Sequence, residues 1–227
     1  NYIDASNYII RPTNSVYQFP NNGYDFLNET NSTVAQWNSV WGDGYFNEMR
    51  LTYQTIRDKR RSPTDPFPSI TILSPDGNGN DWEIGFEPFS TANSLDQDII
   101  EFTNDFTFFA GDHEIVIGTH NEWYTFSNVF IQQSYGDYTF DNLDTFYAGI
   151  ARQYDYSFPN DPANPADEFD IWQFSLYAGD TWRVKPNLTL VGGLRLDVPY
   201  FPETPEYNPL VEETFGVRTD VIPDGNM

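Results

Sequence analysis

Apolar residues in this chain recur at every second position, and the alternating segments come in pairs joined by short turns. That pattern specifies antiparallel strands, because side chains on a strand point to opposite faces with a period of two. The clearest pair is 172–183 and 188–197, joined by Val184-Lys185-Pro186-Asn187. In its first segment Trp172, Phe174, Leu176, Ala178 and Trp182 alternate with Gln173, Ser175, Tyr177, Gly179 and Thr181. In its second, Leu188, Leu190, Gly192, Leu194 and Leu196 alternate with Thr189, Val191, Gly193, Arg195 and Asp197. A second pair, 97–109 and 114–126, turns at Ala110-Gly111-Asp112-His113. There Ile100, Phe102, Phe106 and Phe108 oppose Glu101, Thr103, Asp105 and Thr107. The facing of 114–126 stays open, since Ile115 and Ile117 lie on one face and Tyr124 and Phe126 on the other. A third pair, 33–41 and 45–58, turns at Gly42-Asp43-Gly44, with Met49, Leu51 and Tyr53 opposite Glu48, Arg50, Thr52 and Gln54. Helical periodicity is nearly absent; one short helical turn is expected around 140–146.

Long polar segments rich in Pro, Asn and Asp separate the pairs: 59–95, 127–170 and 198–227. A succession of short turn, long loop, short turn is the asymmetry of outer-membrane barrels, with short turns at one end and long loops at the other. A soluble sandwich with elaborated loops stays open as the alternative. Both architectures alternate in sequence; the sandwich packs its apolar face into a core, and the barrel turns it to lipid. Trp41, Trp172 and Trp182 sit at segment ends, where an interfacial aromatic girdle places them. No apolar run is long enough for a membrane-crossing helix. A barrel strand needs only about 9–11 alternating residues, so low hydropathy does not exclude the membrane.

With 11 basic against 34 acidic residues and a net charge of −23, non-specific nucleic-acid binding is excluded. No cysteine is present, so disulfides, thiolate metal sites and cysteine nucleophiles are excluded as well. An enzyme is not expected. The two histidines, His113 and His120, are seven apart and face opposite sides of a strand. Glu101 and Asp105 share a face about 13 Å apart at about 3.3 Å per residue, beyond the separation that glycoside hydrolysis uses. For metals, Asp76, Asn78, Asn80 and Glu87 match positions 1, 3, 5 and 12 of a calcium loop. Asp81 stands where that loop carries Gly, so a solvated Asn/Asp/Gly turn is the competing reading. Apart from calcium in such acidic loops, no cofactor is expected.

Leu176-Tyr177-Ala178-Gly179-Asp180-Thr181-Trp182-Arg183-Val184-Lys185-Pro186-Asn187-Leu188-Thr189-Leu190, followed by Gly193-Leu194-Arg195-Leu196-Asp197, resembles a hairpin of TonB-dependent outer-membrane receptors of the Oar-like group. Phe46-Asn47-Glu48-Met49-Arg50-Leu51 fits the same group, as do Gly111-Asp112-His113 with Gly118-Thr119-His120-Asn121-Glu122, and Tyr138-Thr139-Phe140 leading to Phe146 and Gly149. The likeness runs from about Phe46 to Pro209. One departure is Gly179, where such hairpins more often carry Gln. The resemblance implies a plugged 22-stranded barrel. Residues 1–227 would form a section of its wall, all-β with antiparallel up-and-down strands, about six of them crossing the membrane. Plug and both barrel ends are expected to lie elsewhere.

On this reading the chain belongs to the cell outer membrane of a Gram-negative bacterium. Its partners are outer-membrane lipid, its own plug, the TonB system and an unidentified ligand, with no nucleic acid. Glu48, Arg50, Thr52, Gln54, Glu101, Asp105, Arg195 and Asp197 are the expected lumen-facing binding residues. The aromatic-rich loops, among them Trp82, Phe86, Tyr138 and Tyr154, either capture ligand or pack against one another. A secreted acidic β-sandwich that binds glycan or adheres to surfaces, with or without calcium, is the alternative function.

Overall fold

The computed structural model describes residues 2–221. Its strands are β1 Tyr2–Ile9, β2 Val16–Gln18, β3 Tyr24–Trp41, β4 Tyr45–Arg61, β5 Ser69–Ile72, β6 Asp81–Ile84, β7 Ala92–Ala110, β8 His113–Ile131, β9 Asp137–Phe140, β10 Gln153–Asp155, β11 Asp167–Lys185 and β12 Leu188–Tyr200. Two short α-helices, α1 Leu143–Tyr147 and α2 Pro209–Phe215, and a single 3-10 turn, Pro20–Asn22, complete the described elements. Seven strands form one sheet in the order β1-β3-β4-β7-β8-β11-β12; five short ones form a second in the order β10-β9-β5-β6-β2.

The three hairpins lie where alternation and turn chemistry place them. Between β3 and β4 the chain reverses through Gly42 and Gly44, both at positive φ, which glycine adopts without steric cost. β11 and β12 pair with Leu176 opposite Leu196, Ala178 opposite Leu194, Ser175 opposite Asp197 and Tyr177 opposite Arg195, so in this stretch like faces like on both sides of the pair. Among the described residues the long sheet has seven strands, one of them, β1, outside the segments that the alternation marks. β1 pairs β3 from Tyr2 opposite Asn31 to Ile9 opposite Tyr24, and β3 begins nine residues before the alternating segment that starts at 33.

The polarity of this sheet is inverted relative to a soluble protein. On β4, Met49, Leu51 and Tyr53 are exposed, whereas Glu48, Arg50, Thr52 and Gln54 are half-buried. On β12, Leu190, Leu194 and Leu196 are 50%, 85% and 64% exposed. A sandwich would bury these side chains, because area-proportional transfer from water is the main force that folds it. The apolar face is the bare one, which removes the sandwich alternative.

Cα proximity divides the chain into two units. One holds the chain up to Asn31 with Thr55–Gln97 and Phe126–Glu168. It contains the four large apolar side chains that are buried among the described residues, Tyr24, Ile72, Phe86 and Phe140. Its small sheet is made of segments that the sequence presents as long loops. β5 and β6 pair antiparallel with Ile72 opposite Trp82, while β9 joins β5 and β2 joins β6 in parallel. Many of the loop aromatics pack on each other: Tyr138 lies 4.6 Å from Tyr154, Phe86 5.1 Å from Tyr135 and Phe140 5.2 Å from Phe146 between ring centroids. Helix α1 starts within the expected 140–146 window, fixed by a capping box in which Asn142 and Thr145 exchange side-chain and backbone bonds.

The other unit holds Ser32–Gln54, Asp98–Thr125 and the chain from Phe169. Among its described residues none of the large apolar side chains is buried, and the most buried side chain is that of Ser175, 1% exposed. On its apolar face aromatic rings gather near the turns, with Phe106 between Trp41 and Tyr45, and His113 stacked on Trp182.

Candidate functional site

The polar face of the second unit carries a continuous set of ionic and hydrogen-bonded side chains. Alternation places them: Glu48 and Arg50 on β4, Glu101, Thr103 and Asp105 on β7, His120 and Glu122 on β8, Ser175 and Tyr177 on β11, Arg195 and Asp197 on β12. The open facing of β8 is settled by its partners. His120 Nδ1 lies 2.9 Å from Thr103 Oγ1, so the even-numbered residues of β8 share the polar face. His113, of opposite parity, faces the apolar side, with its Nδ1 2.7 Å from Asp180 Oδ2.

Two clusters organise this face. In the first, His120 sits between carboxylates, with Nε2 3.4 Å from Glu122 and Nδ1 3.9 Å from Glu101. In the second, Arg195 donates from Nε to both oxygens of Asp197, at 2.8 and 3.0 Å, and from its terminal nitrogen to Ser175 Oγ at 3.0 Å. Ser175 in turn donates to Asp197. This closed triangle satisfies the buried Ser175 hydroxyl through an ion pair whose own side chains stay about half exposed. Arg195 also lies over the Tyr177 ring, 5.6 Å from its centroid, and the Tyr177 hydroxyl donates to Asp105. Tyr177 reaches across because Gly118 leaves room. A Cβ on Gly118 would stand 2.4 Å from the Tyr177 ring and 2.5 Å from an Asp105 carboxylate oxygen.

Of the residues expected at the site, Glu101, Asp105, Arg195 and Asp197 enter these clusters. Glu48 and Arg50 pair with each other at 2.6 Å. A concavity of about 510 Å³ brings Glu48 and Asp105 together with Asn38, Phe46, Thr107 and Val116. Thr52 and Gln54 continue the face along β4, half-buried. The residues that link the clusters, His120, Glu122, Ser175 and Tyr177, are missing from the expected set. For β11 the alternation already puts Ser175 and Tyr177 beside the expected residues. For β8 the signal was cross-strand, since a polar residue facing Thr103 fixes the parity of the whole strand.

The calcium loop is not formed. The Asp76 carboxylate accepts the Asn78 backbone N–H at 3.1 Å and its side-chain amide at 3.0 Å, an Asx turn, and those bonds hold its pKa below the ordinary carboxylate value. Asp81, in the place of the loop glycine, accepts the Ser74 N–H at 3.0 Å, and the chain then runs out extended through β6. Glu87 lies beyond that strand and accepts a hydrogen bond from Ser90. Asp76 and Asn78 thus share one Asx turn, while Glu87 is set apart from them, and from Asn80, by the extended β6. Among the described residues no three His, Asp or Glu side chains cluster as metal ligands.

Comparison with known proteins agrees with this architecture. A family model described as an outer membrane beta barrel domain matches residues 1–217. No curated protein matches. Among solved structures, the outer membrane transporter YddB from Escherichia coli is similar over 87% of this chain, with a TM-score of 0.55 at 16% identity. The chain spans 24% of the length of that transporter, and at such identity the likeness concerns the fold.

Proposed function

The chain belongs to the outer membrane β-barrel domain family, and from that premise we propose that it forms a section of the wall of a TonB-dependent, Oar-like transporter. Its setting is the Gram-negative outer membrane, and its bare apolar face meets lipid. The polar face then lines the lumen, where Glu48, Arg50, Glu101, Asp105, Arg195 and Asp197, with His120 and Tyr177, meet the plug and border the path of a ligand. The chain carries no chemistry of its own on this reading; energy reaches the barrel through the plug and the TonB system. The short turns of the hairpins face the periplasm on this reading, as in barrels of this kind.

One observation carries the proposal: a seven-stranded antiparallel sheet with an apolar exposed face and a hydrogen-bonded polar face, aligned with part of a much longer transporter barrel. The test is to recover from outer membranes the polypeptide that carries this sequence, map it by peptide mass spectrometry, and pass it over an immobilised TonB periplasmic domain. Peptides of a plug domain on the same chain, with retention on TonB, are expected. A polypeptide without a plug that flows through contradicts the energy-coupled reading.

A further inference from the structure

In the first unit a cavity of about 360 Å³ opens between the ends of β1, β3, β4 and β8 and the segments that follow β1 and β6. It combines two features that seldom coincide in so acidic a chain: arginines without carboxylate partners, and exposed aromatic rings. The basic run Arg57-Asp58-Lys59-Arg60-Arg61 explains the first. Arg57 pairs with Asp96 at 3.7 Å and Arg61 with Asp25 at 3.4 Å. Arg60, between them in sequence but on the other strand face, turns into the cavity and lies over the Tyr24 ring, 4.8 Å from its centroid. The Tyr24 side chain is 6% exposed, so Arg60 stacks on a fixed surface with its guanidinium edge free. Arg11 reaches the same cavity from the segment after β1, and its side chain forms no ion pair among the described residues. Glu87, the one acidic side chain on the wall, is held by Ser90. The apolar part of the wall includes Phe89 and Phe130, 46% and 50% exposed.

We propose that this cavity is a binding site for a small organic anion, a carboxylate joined to an aromatic or other flat apolar body. Arg60 and Arg11 hold the carboxylate; Phe89 and Phe130 cover the apolar part. An Arg fork donates two parallel bonds to a carboxylate, which a neutral amide of the same shape cannot accept in the same way. The volume corresponds to about a dozen waters at about 30 Å³ each, room for a fused two-ring acid. The site lies on residues other than those of the polar face and stands independently of the uptake reading.

The test uses the intact protein in detergent with 2-naphthoate as probe and neutral 2-naphthamide as its isostere, read by titration calorimetry. Saturable naphthoate binding is expected, with the amide at least tenfold weaker. Arg60→Gln is expected to weaken naphthoate at least tenfold and Arg11→Gln at least threefold, while Arg61→Gln leaves it unchanged. Thermal melting of each variant reports folding, and Arg11→Gln, an exposed position, decides the matter if Arg60→Gln does not fold. Equal affinity for acid and amide, or naphthoate binding indifferent to the arginine changes, overturns the site. Naphthoate binding by a protein that TonB does not retain upholds the site while refuting energy-coupled uptake; retention without naphthoate binding does the reverse.

Discussion

Leu194→Lys distinguishes a lipid-facing sheet from a water-facing one by the size of its cost. Trp182 and Trp172 lie ten residues apart on the apolar face of β11, opposite Leu190 and Tyr200 on β12. Ten residues at about 3.3 Å each give about 33 Å along the strand. Tilted by about 45°, that is about 23 Å along the membrane normal, close to the roughly 25 Å apolar band of such barrels. Leu194, opposite Ala178, lies four residues from the Leu190 level and six from Tyr200, close to the middle of that band. Lysine at the midplane of a barrel's lipid face costs about 2–4 kcal/mol, and near the interface about 0–1 kcal/mol. Leu188, two residues beyond the Leu190 level toward the turn, is the matched interfacial control. In water the change would be nearly neutral, because Leu194 is 85% exposed and surface substitutions usually stay within about 0.5 kcal/mol. The assay is denaturant unfolding of the protein refolded into lipid vesicles, followed by tryptophan fluorescence. A loss of at least about 2 kcal/mol for Leu194→Lys against about 1 or less for Leu188→Lys is expected. Equal costs at the two positions, or none at either, would refute the assignment of this face to lipid.

Three further outcomes follow from the described contacts. Gly118→Ala drives a methyl into the Tyr177 ring and Asp105, and is expected to cost about 1–3 kcal/mol of unfolding free energy; Gly179→Ala, whose Cβ would have its nearest neighbour at 3.7 Å, tests whether the cost is local. Ser175→Ala removes one hydrogen-bond partner each from Arg195 and Asp197, whose side chains are about half exposed and rehydrate, and is expected to destabilise by only about 0.5–1.5 kcal/mol, visible as a slightly lower denaturant midpoint. The Asp76 carboxyl, depressed by the backbone and side chain of Asn78, stabilises the 74–81 turn above the ordinary carboxylate range and ceases to do so as pH falls through its folded value. Carboxyl carbon NMR should show that titration moving up in Asn78→Ala, which removes the side-chain amide and keeps the backbone N–H, and an unchanged midpoint would remove the Asn78 side chain as a cause.

The hairpins were readable because their determinants are local. In β11 and β12 apolar residues recur at every second position, with Asp180 the interruption, and Lys185-Pro186-Asn187 marks the reversal, so register and facing follow from a few neighbours. β8 was ambiguous because both faces carry apolar groups. Val116 and Tyr124 lie on the polar side, and Ile115 and Ile117 on the bare one. β1 went unread because its eight residues, with Asp4, Ser6 and Asn7 among them, lack a clean apolar alternation and are defined by pairing with β3. The loop sheet lies furthest from local logic. Its strands are three or four residues long, and β5 finds β9 in parallel across more than sixty residues of chain. Windows that short carry almost no periodic signal. At the polar face, alternation identified which side chains share a side and said nothing of which would touch. The Tyr177–Asp105 bond depends on Gly118, a residue of a third strand that contributes only empty space.

The most direct test of the central claim is a cysteine scan along β11 from Phe174 to Thr181, with a nitroxide attached at each site in turn and its accessibility to oxygen and to a nickel chelate measured in vesicles. With no native cysteine, every label reports one position. Positions 174, 176 and 178 are expected to meet oxygen dissolved in lipid, and 175, 177 and 179 to be shielded from lipid, in a strict period of two. A scan with no alternation, or one in which 174, 176 and 178 respond to the aqueous chelate, contradicts a barrel wall.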